Sequence, residues 1–457
     1  MKVLFVVPPS EALTVTPPIG LGYMVSGLRK NGYEASILDS QRESLNEEKC
    51  LGRIKEFDPG LLGVSLLTSN YVVAKKIIKR LKESAPATKI VLGGPHASAL
   101  PGATLEETQG DFLIRGEGEY PIVALMDFLE KGRGELSEIK NLCYRKNGKV
   151  EIKPITMQAG DLDAIPPPAW DLMRPAEYPP NPHQFFFKKY PIAPVITTRG
   201  CPFECTFCAA GFLAGKKLRM RSPAKVVDEI ELLVNKYGVK EIHFEDDNFT
   251  LLRKHAEGVL HEIIKRDIKI SWQSPNGIRL DTVDEELIRL MKESGCYRLA
   301  FGIESGSQEI LDRANKKLNL DKVSGVMKAV KRAGIETQGF FILGLPGETR
   351  DTALETLKLI EKLPLDFVDV ALLTYLPGSR IFNERYGTAG QEGIKWDEFN
   401  YFTAEPTAAL SGEELKAFQK RALRKFYMKP KTVFRILKSI KPRQIPHVFR
   451  ILEKYFV

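Results

Sequence analysis

A chain of 457 residues that is 43% hydrophobic and 27% charged has the composition of a globular protein, long enough for two or three domains, and excludes a disordered or collagen-like chain. No stretch offers the roughly 20 uninterrupted apolar residues that span a bilayer, and six cysteines in so long a chain do not make a secreted disulfide scaffold. The net charge of +9 invites a nucleic-acid or membrane reading, but almost all the unmatched positive charge lies in residues 416–456. That basic tail is compatible with an acidic protein, RNA or lipid headgroups, and equally with a solvated helical face that packs its Phe, Leu and Ile inward.

In chain order, "MKVLFVVPPS" is broken too early by prolines for a signal peptide and reads as a buried first strand, which places the protein in the cytoplasm. The helix-like "GLGYMVSGLRKNGY" and the strand "EASILDS" follow. Then come "LLGVSLLT", the helix "NYVVAKKIIKRLKESAP", the strand "KIVLGGPHAS", and "DFLIRGEGE" leading into "YPIVALMDFLEK". Short buried strands alternating with amphipathic helices predict a parallel sheet wound in the Rossmann manner over residues 1–155. Residues 156–192 include the proline-dense "DLDAIPPPAWDLMRPAEYPPNPHQ", a linker or wrapping segment.

The alternation resumes over 193–385 with "PVITTRG", "EIHFEDD", "KISWQSP", "YRLAFGIES", "TQGFFILGLPG" and "FVDVALLTYLPG" as strands. Six β/α units predict a partial (β/α)6 barrel related to the eight-unit fold. A small, mostly helical segment, 386–457, completes an α/β chain. "LPGSRIF" after the sixth strand and the tail beyond about Tyr386 are expected to help recognise substrate.

Three of the six cysteines lie in "TTRGCPFECTFCAAG", directly after the first barrel strand, where β/α barrels gather their active sites. Soft thiolates favour zinc or an iron–sulfur cluster. Zinc ordinarily takes a fourth protein ligand, from a second C-x2-C pair or a histidine at finger-like spacing, and neither occurs here. A cluster held by three cysteines leaves one iron open to a small molecule, whereas ferredoxins normally supply a fourth cysteine. Cys50, Cys143 and Cys296 are isolated and read as small core residues.

With Cys201, Cys205, Phe207 and Cys208 in a C-x3-C-x-aromatic-C pattern, the chain resembles the radical S-adenosylmethionine superfamily. The resemblance implies a [4Fe–4S] cluster on Cys201, Cys205 and Cys208 whose open iron is chelated by the methionine moiety of S-adenosylmethionine. It further implies S-adenosylmethionine contacts at Phe207. Glu245, Asp246 and Asp247 in "HFEDDNFT" would meet the amino group. Asn276 and Arg279 in "SPNGIRLD", and Glu304 and Ser305 in "FGIESGS", would meet the ribose or carboxylate. Gly344 in "FFILGLPGET" would shape the adenine pocket. No catalytic residue beyond these cofactor ligands is assigned.

The Rossmann-like domain in front resembles that of the cobalamin-binding subgroup of these enzymes. Its glycine- and hydroxyl-bearing loops lie at the edge of a parallel sheet where ligands of such folds bind. By resemblance they cover the corrin and its nucleotide tail through Gly20, Gly22, Ser65, Thr68, Ser69, Asn70, Gly93, Gly94, Pro95, His96, Gly116, Glu117 and Gly118. The D-x-H-x-x-G pattern of histidine-ligated cobalamin proteins is absent. His96 is therefore expected to cap or hydrogen-bond rather than ligate cobalt, with the cofactor base-off and a residue near Thr68–Tyr71 on its lower side.

The resemblance implies a 5′-deoxyadenosyl radical and, with methylcobalamin, methylation of an unactivated carbon. The alternative is a cobalamin-containing cyclisation, rearrangement or oxidation without methyl transfer. The expected partners are an external one-electron reductant of flavodoxin or ferredoxin type and a substrate that is a small molecule or a protein side chain. No stable nucleic-acid partner is expected, and peripheral membrane contact by the basic tail is compatible with the charge.

Overall fold

In the computed structural model the described residues are 1–10, 14–182, 186–387, 394–399 and 405–445; the end of the basic tail, 446–457, lies outside them. The chain forms two compact units, one of Met1–Tyr178, Cys208–Arg219 and Tyr375–Phe399, the other of Pro179–Phe207, Met220–Thr374 and Asn400–Val457. Among the described residues no helix is long and apolar enough to cross a membrane.

The first unit is built on Val3–Val7, Ala35–Asp39, Leu61–Ser65, Lys89–Gly93 and Phe112–Ile114, which pair parallel in the order second, first, third, fourth, fifth. These strands are almost continuously apolar because helices cover both faces of such a sheet. The order reverses between the first and third strands, and the crevice beyond their C-terminal ends is the place where doubly wound folds bind ligands.

The expected all-parallel sheet carries an addition, an antiparallel hairpin of Leu142–Lys146 and Lys149–Glu151 on its fifth strand. Asn147 and Gly148 turn it at φ +50° and +79°, the left-handed pair that a two-residue hairpin turn requires. As far as Tyr178 the proline-dense stretch belongs to this unit rather than hanging free. Trp170 and Met173 are 1% and 0% exposed, and a side chain at Gly22 would collide with Met173.

The second unit contains the six strands read from the sequence: Ile192–Val195, Glu241–Phe244, Ser271–Ile278, Cys296–Glu304, Glu336–Leu343 and Phe367–Leu372. All are parallel and in sequential order, with the first and sixth at the edges. The connecting helices form for local reasons. Pro223–Tyr237, for example, starts on Ser222, whose hydroxyl accepts the Lys225 N–H, opens with proline, and stops at Gly238 in the left-handed region. Its Val226, Ile230 and Leu233 face the sheet fully buried. At the N-terminal end of the barrel, Glu241 accepts from Tyr297 at 2.6 Å and pairs with His243 at 2.9 Å, an arrangement that serves stability at the end away from the active site.

Of the basic tail, helix Gly412–Tyr427 buries Leu415, Phe418, Leu423 and Phe426. It also covers the sixth strand: Gln419 Nε2 donates to the Val370 carbonyl at 2.7 Å, and the Tyr427 hydroxyl donates to Val368 O at 2.6 Å and accepts from its N–H at 3.1 Å. Helix Pro430–Ser439 leaves Phe434 72% and Leu437 66% exposed.

Candidate active site

The cysteine loop is anchored where it leaves the first barrel strand. Asp246, fully buried after the second strand, accepts from Thr197 N at 3.1 Å and Thr197 Oγ1 at 2.9 Å, and from the N–H and hydroxyl of Thr198. Burial pushes its carboxyl up to about 6 against the pull of those donors. Asp246 thus ties two strand ends together at the root of the loop and faces protein groups. Gly200 at φ +103° turns the chain into Cys201, a conformation side chains disfavour.

Cys201, Cys205 and Phe207 are half-buried and Cys208 is exposed. Desolvation raises the thiols of Cys201 and Cys205; Asp247 adds to the rise at Cys201, while Lys316 opposes it at Cys205. Cys50, Cys143 and Cys296, at 0%, 0% and 1% exposure, are core residues. The remaining three thiols, on one loop at a strand's C-terminal end, are the soft donor set an iron–sulfur cluster takes. Among the described residues no three His, Cys, Asp or Glu side chains group around a single ion; thiolates of a cubane bind separate irons and need no shared centre.

Around the loop the later strands bring charge. Glu304, at the end of the fourth strand with φ +70°, pairs with Lys316 at 2.7 Å, both side chains nearly buried. Burial works against the Lys316 ammonium, yet Glu304 and Cys205 hold its pKa above the ordinary value. A side chain at Gly302 would meet Glu304 Oε1 at 2.5 Å and Lys316 Nζ at 2.8 Å, so glycine there makes room for the pair. Asp247 and Asn276 are exposed, and Asn276 donates to the Glu245 carbonyl at 2.8 Å.

Arg279 donates to Asp281 at 2.9 and 2.8 Å and to the carbonyls of Lys316 and Lys317 at 2.9 and 2.7 Å. Ser305 is fully buried against Thr356 Oγ1 at 3.3 Å. Gly344, at φ +94°, gives its N–H to Glu348, whose carboxyl burial pushes up to about 7. Asp247, Glu304, Arg279 and Cys201–Cys205 therefore form one neighbourhood, whereas Asp246 and Ser305 are engaged inside the fold. Sequence reasoning passed over Lys316. Nothing in "ANKKLNL" signals it, because the pairing is made by a turn that periodicity does not reveal.

In the first unit the loops after the third, fourth and fifth strands close on one another. Asn70, fully buried, accepts the Leu67 N–H at 2.9 Å and donates to Ser65 O at 3.3 Å. Gly94, at φ +91°, has no room for a side chain, which would meet Leu66 O at 2.7 Å. Gly93 sits half-buried just before it. His96 is 2% exposed, meets Thr68 Oγ1 at 3.2 Å and stacks on Tyr71 at 4.1 Å. Glu117 is held by Arg219 at 2.6 and 2.9 Å and by the Ala159 N–H at 2.8 Å.

Gly22 and Gly118 are packing positions, against Met173 and Met24, and Gly116 lies against Ile155. Gly20, Leu67, Ser69 and Pro95 are exposed at this sheet edge, and nothing lies within 4 Å of a side chain added at Gly20. A shelf of small and apolar groups beside a switch point fits a large planar ligand.

A parallel barrel with a three-thiol loop after its first strand defines a radical S-adenosylmethionine enzyme, and residues 195–360 match the radical SAM superfamily. Residues 10–126 match the B12 binding domain. An uncharacterized methyltransferase of Pyrococcus horikoshii is 34% identical over 445 residues, 95% of this chain and 94% of that protein. The cytidylyl-2-hydroxyethylphosphonate methyltransferase of Streptomyces wedmorensis is 33% identical over 379 residues, 72% of this chain and 69% of that one. The cobalamin-dependent S-adenosylmethionine radical enzyme OxsB, solved with aqua-cobalamin and S-adenosylmethionine bound, shares the fold at a TM-score of 0.75. That likeness covers 99% of this chain and 71% of OxsB at 17% identity. The chain belongs to the cobalamin-binding branch of the radical S-adenosylmethionine family. The two relatives named here are methyltransferases by name, which supports methyl transfer over cyclisation.

Proposed function

We propose that this enzyme uses S-adenosylmethionine, a [4Fe–4S] cluster and cobalamin to methylate an unactivated carbon of a small molecule or a protein side chain. The observation that carries the reading is a three-thiol loop on a partial barrel in the same chain as a doubly wound unit that leaves Gly20, Leu67, Ser69 and Pro95 exposed at its switch-point edge. When bound, the cluster supplies the electron that splits S-adenosylmethionine to a carbon radical, and cobalamin carries the methyl group. Cys201, Cys205 and Cys208 hold the cluster and leave one iron for the methionine moiety. Asp247 and Glu304 offer carboxylates to its amino group and ribose, and buried Gly344, its N–H held by Glu348, shapes the adenine side from within the fold.

Cobalamin would be held base-off by the first unit, without a histidine ligand. In support, the His96 ring is buried, takes its polar contact from Thr68 and is pushed down to about 3 by desolvation. Leu67, 41% exposed, and Ser69 are the exposed side chains of the loop that would face its lower side. Residues 1–155 serve cobalamin, 193–385 the radical chemistry, and 386–457 closure over substrate. The enzyme works in the cytoplasm with a flavodoxin or ferredoxin as reductant.

The test is anaerobic purification with cobalamin, reductive incubation with S-adenosylmethionine, and mass spectrometry of the products. S-adenosylhomocysteine together with 5′-deoxyadenosine is the expected result, and Cys201→Ala, Cys205→Ala or Cys208→Ala should yield no 5′-deoxyadenosine. If 5′-deoxyadenosine forms alone, methyl transfer is wrong; if neither product forms, the radical reading is wrong.

A further inference from the structure

We propose that Arg279 and Asn315 are positioning residues that hold the cysteine loop in shape from the turn behind it, and that Arg279 does this instead of touching S-adenosylmethionine. The inference rests on the reading of that loop as the cluster site.

The turn Ala314–Lys317 follows helix Gln308–Arg313. Asn315 and Lys317 adopt φ +51° and +50°, a left-handed conformation that costs a non-glycine residue free energy and persists where surrounding contacts hold it. Those contacts reach both sides of Cys205. The Ala314 carbonyl accepts the Thr206 N–H at 3.0 Å, and Asn315 Nδ2 donates to the Glu204 carbonyl at 3.0 Å. The residue before Cys205 and the residue after it are thus fixed by the same turn.

Arg279 fastens the turn to the rest of the loop. Two of its hydrogen bonds run to the Lys316 and Lys317 carbonyls, and its guanidinium lies 3.9 Å from the centre of the Phe203 ring. Asp281 takes two further N–H groups and keeps the fork in plane. With its side chain 8% exposed, one face on an aromatic ring and four donor contacts made to protein, Arg279 is committed to the loop. Groups that orient ligand-bearing residues without binding the metal govern its retention.

The experiment compares the anaerobically reconstituted enzyme with Arg279→Met, Arg279→Lys and Asn315→Ala. It reads the rate at which a chelator removes iron, the electron paramagnetic resonance spectrum of the reduced cluster before S-adenosylmethionine is added, and S-adenosylmethionine affinity per loaded cluster. Arg279→Met should lose iron about tenfold faster or more and shift the spectrum. Asn315→Ala, which removes the hydrogen bond to Glu204 and strains the same turn because alanine tolerates the left-handed region less than asparagine, should move both in the same direction by less. Arg279→Lys should not restore them, since an ammonium lacks the planar fork.

The proposal is overturned if Arg279→Met keeps iron and spectrum while losing S-adenosylmethionine affinity, if Arg279→Lys restores both, or if Asn315→Ala changes neither. Failure of the unaltered protein to bind iron would instead bring down the cluster reading itself.

Discussion

Burial without a charged partner decides the state of His96. Its ring sits between Tyr71 and the edge of Trp396, 4.8 Å away, with Thr68 as its hydrogen-bond partner. Tyr71 in turn donates to Glu107 at 3.1 Å. Desolvation pushes the imidazole down to about 3, so the fold keeps it neutral where an unfolded chain would bind a proton. The contribution to stability is complete above about pH 6.5. It is lost progressively as pH falls toward the folded value, at up to about 1.4 kcal/mol per pH unit. Urea midpoints at about pH 7.5 and about pH 5.5 should therefore differ more in the unaltered protein than in His96→Gln; an equal difference in both would contradict this. The sequence placed His96 in a turn and expected it to cap or hydrogen-bond. Its aromatic neighbours were not legible, because Trp396 reaches it only through the fold.

At the scale of elements, the segment Cys208–Arg219 is informative. It begins at a candidate cluster ligand and groups with the first unit, where Arg219 and Glu117 pair with side chains 5% and 12% exposed. Arg219 also donates to the carbonyls of Ala159 and Ala214 at 2.9 and 2.8 Å. Removing one partner strands the other without water, so Arg219→Met should cost about 3–5 kcal/mol of stability, and Glu117→Gln added to it should cost less than the sum. A double-mutant cycle by urea denaturation measures this; strict additivity would show that the pair does not interact. Glu117 was read from its loop as a cobalamin contact, since a linear sequence does not display a buried partner so far along the chain. The strands and helices were far more legible, because apolar periodicity and local caps are written within each element. The edge hairpin had a local signal too, Asn147–Gly148 between alternating residues, but it belongs to neither helix nor parallel strand and was passed over.

For the whole molecule, the two family matches meet in a chain whose order of parts was readable and whose compact units interleave. The boundaries drawn at 155, 192 and 385 follow composition, whereas contacts assign Tyr375–Phe399 to the first unit. Phe382, just beyond "LPGS", is fully buried in that unit's core. A ligand that binds only the folded state stabilises it by mass action: hydroxocobalamin at about a hundred times its Kd should add about 2.7 kcal/mol. Calorimetry should show this as an upward shift of a thermal transition, and no shift at saturation would mean that the unit does not take the cofactor. The second unit shows a different economy. A barrel of six strands does not close, and an unclosed sheet presents backbone donors and acceptors to any passing strand. Gln419 and Tyr427 occupy those of Val370 and Val368, so the helix that carries much of the basic charge also shields the sheet from adding strands of other molecules, and guards the protein against aggregation.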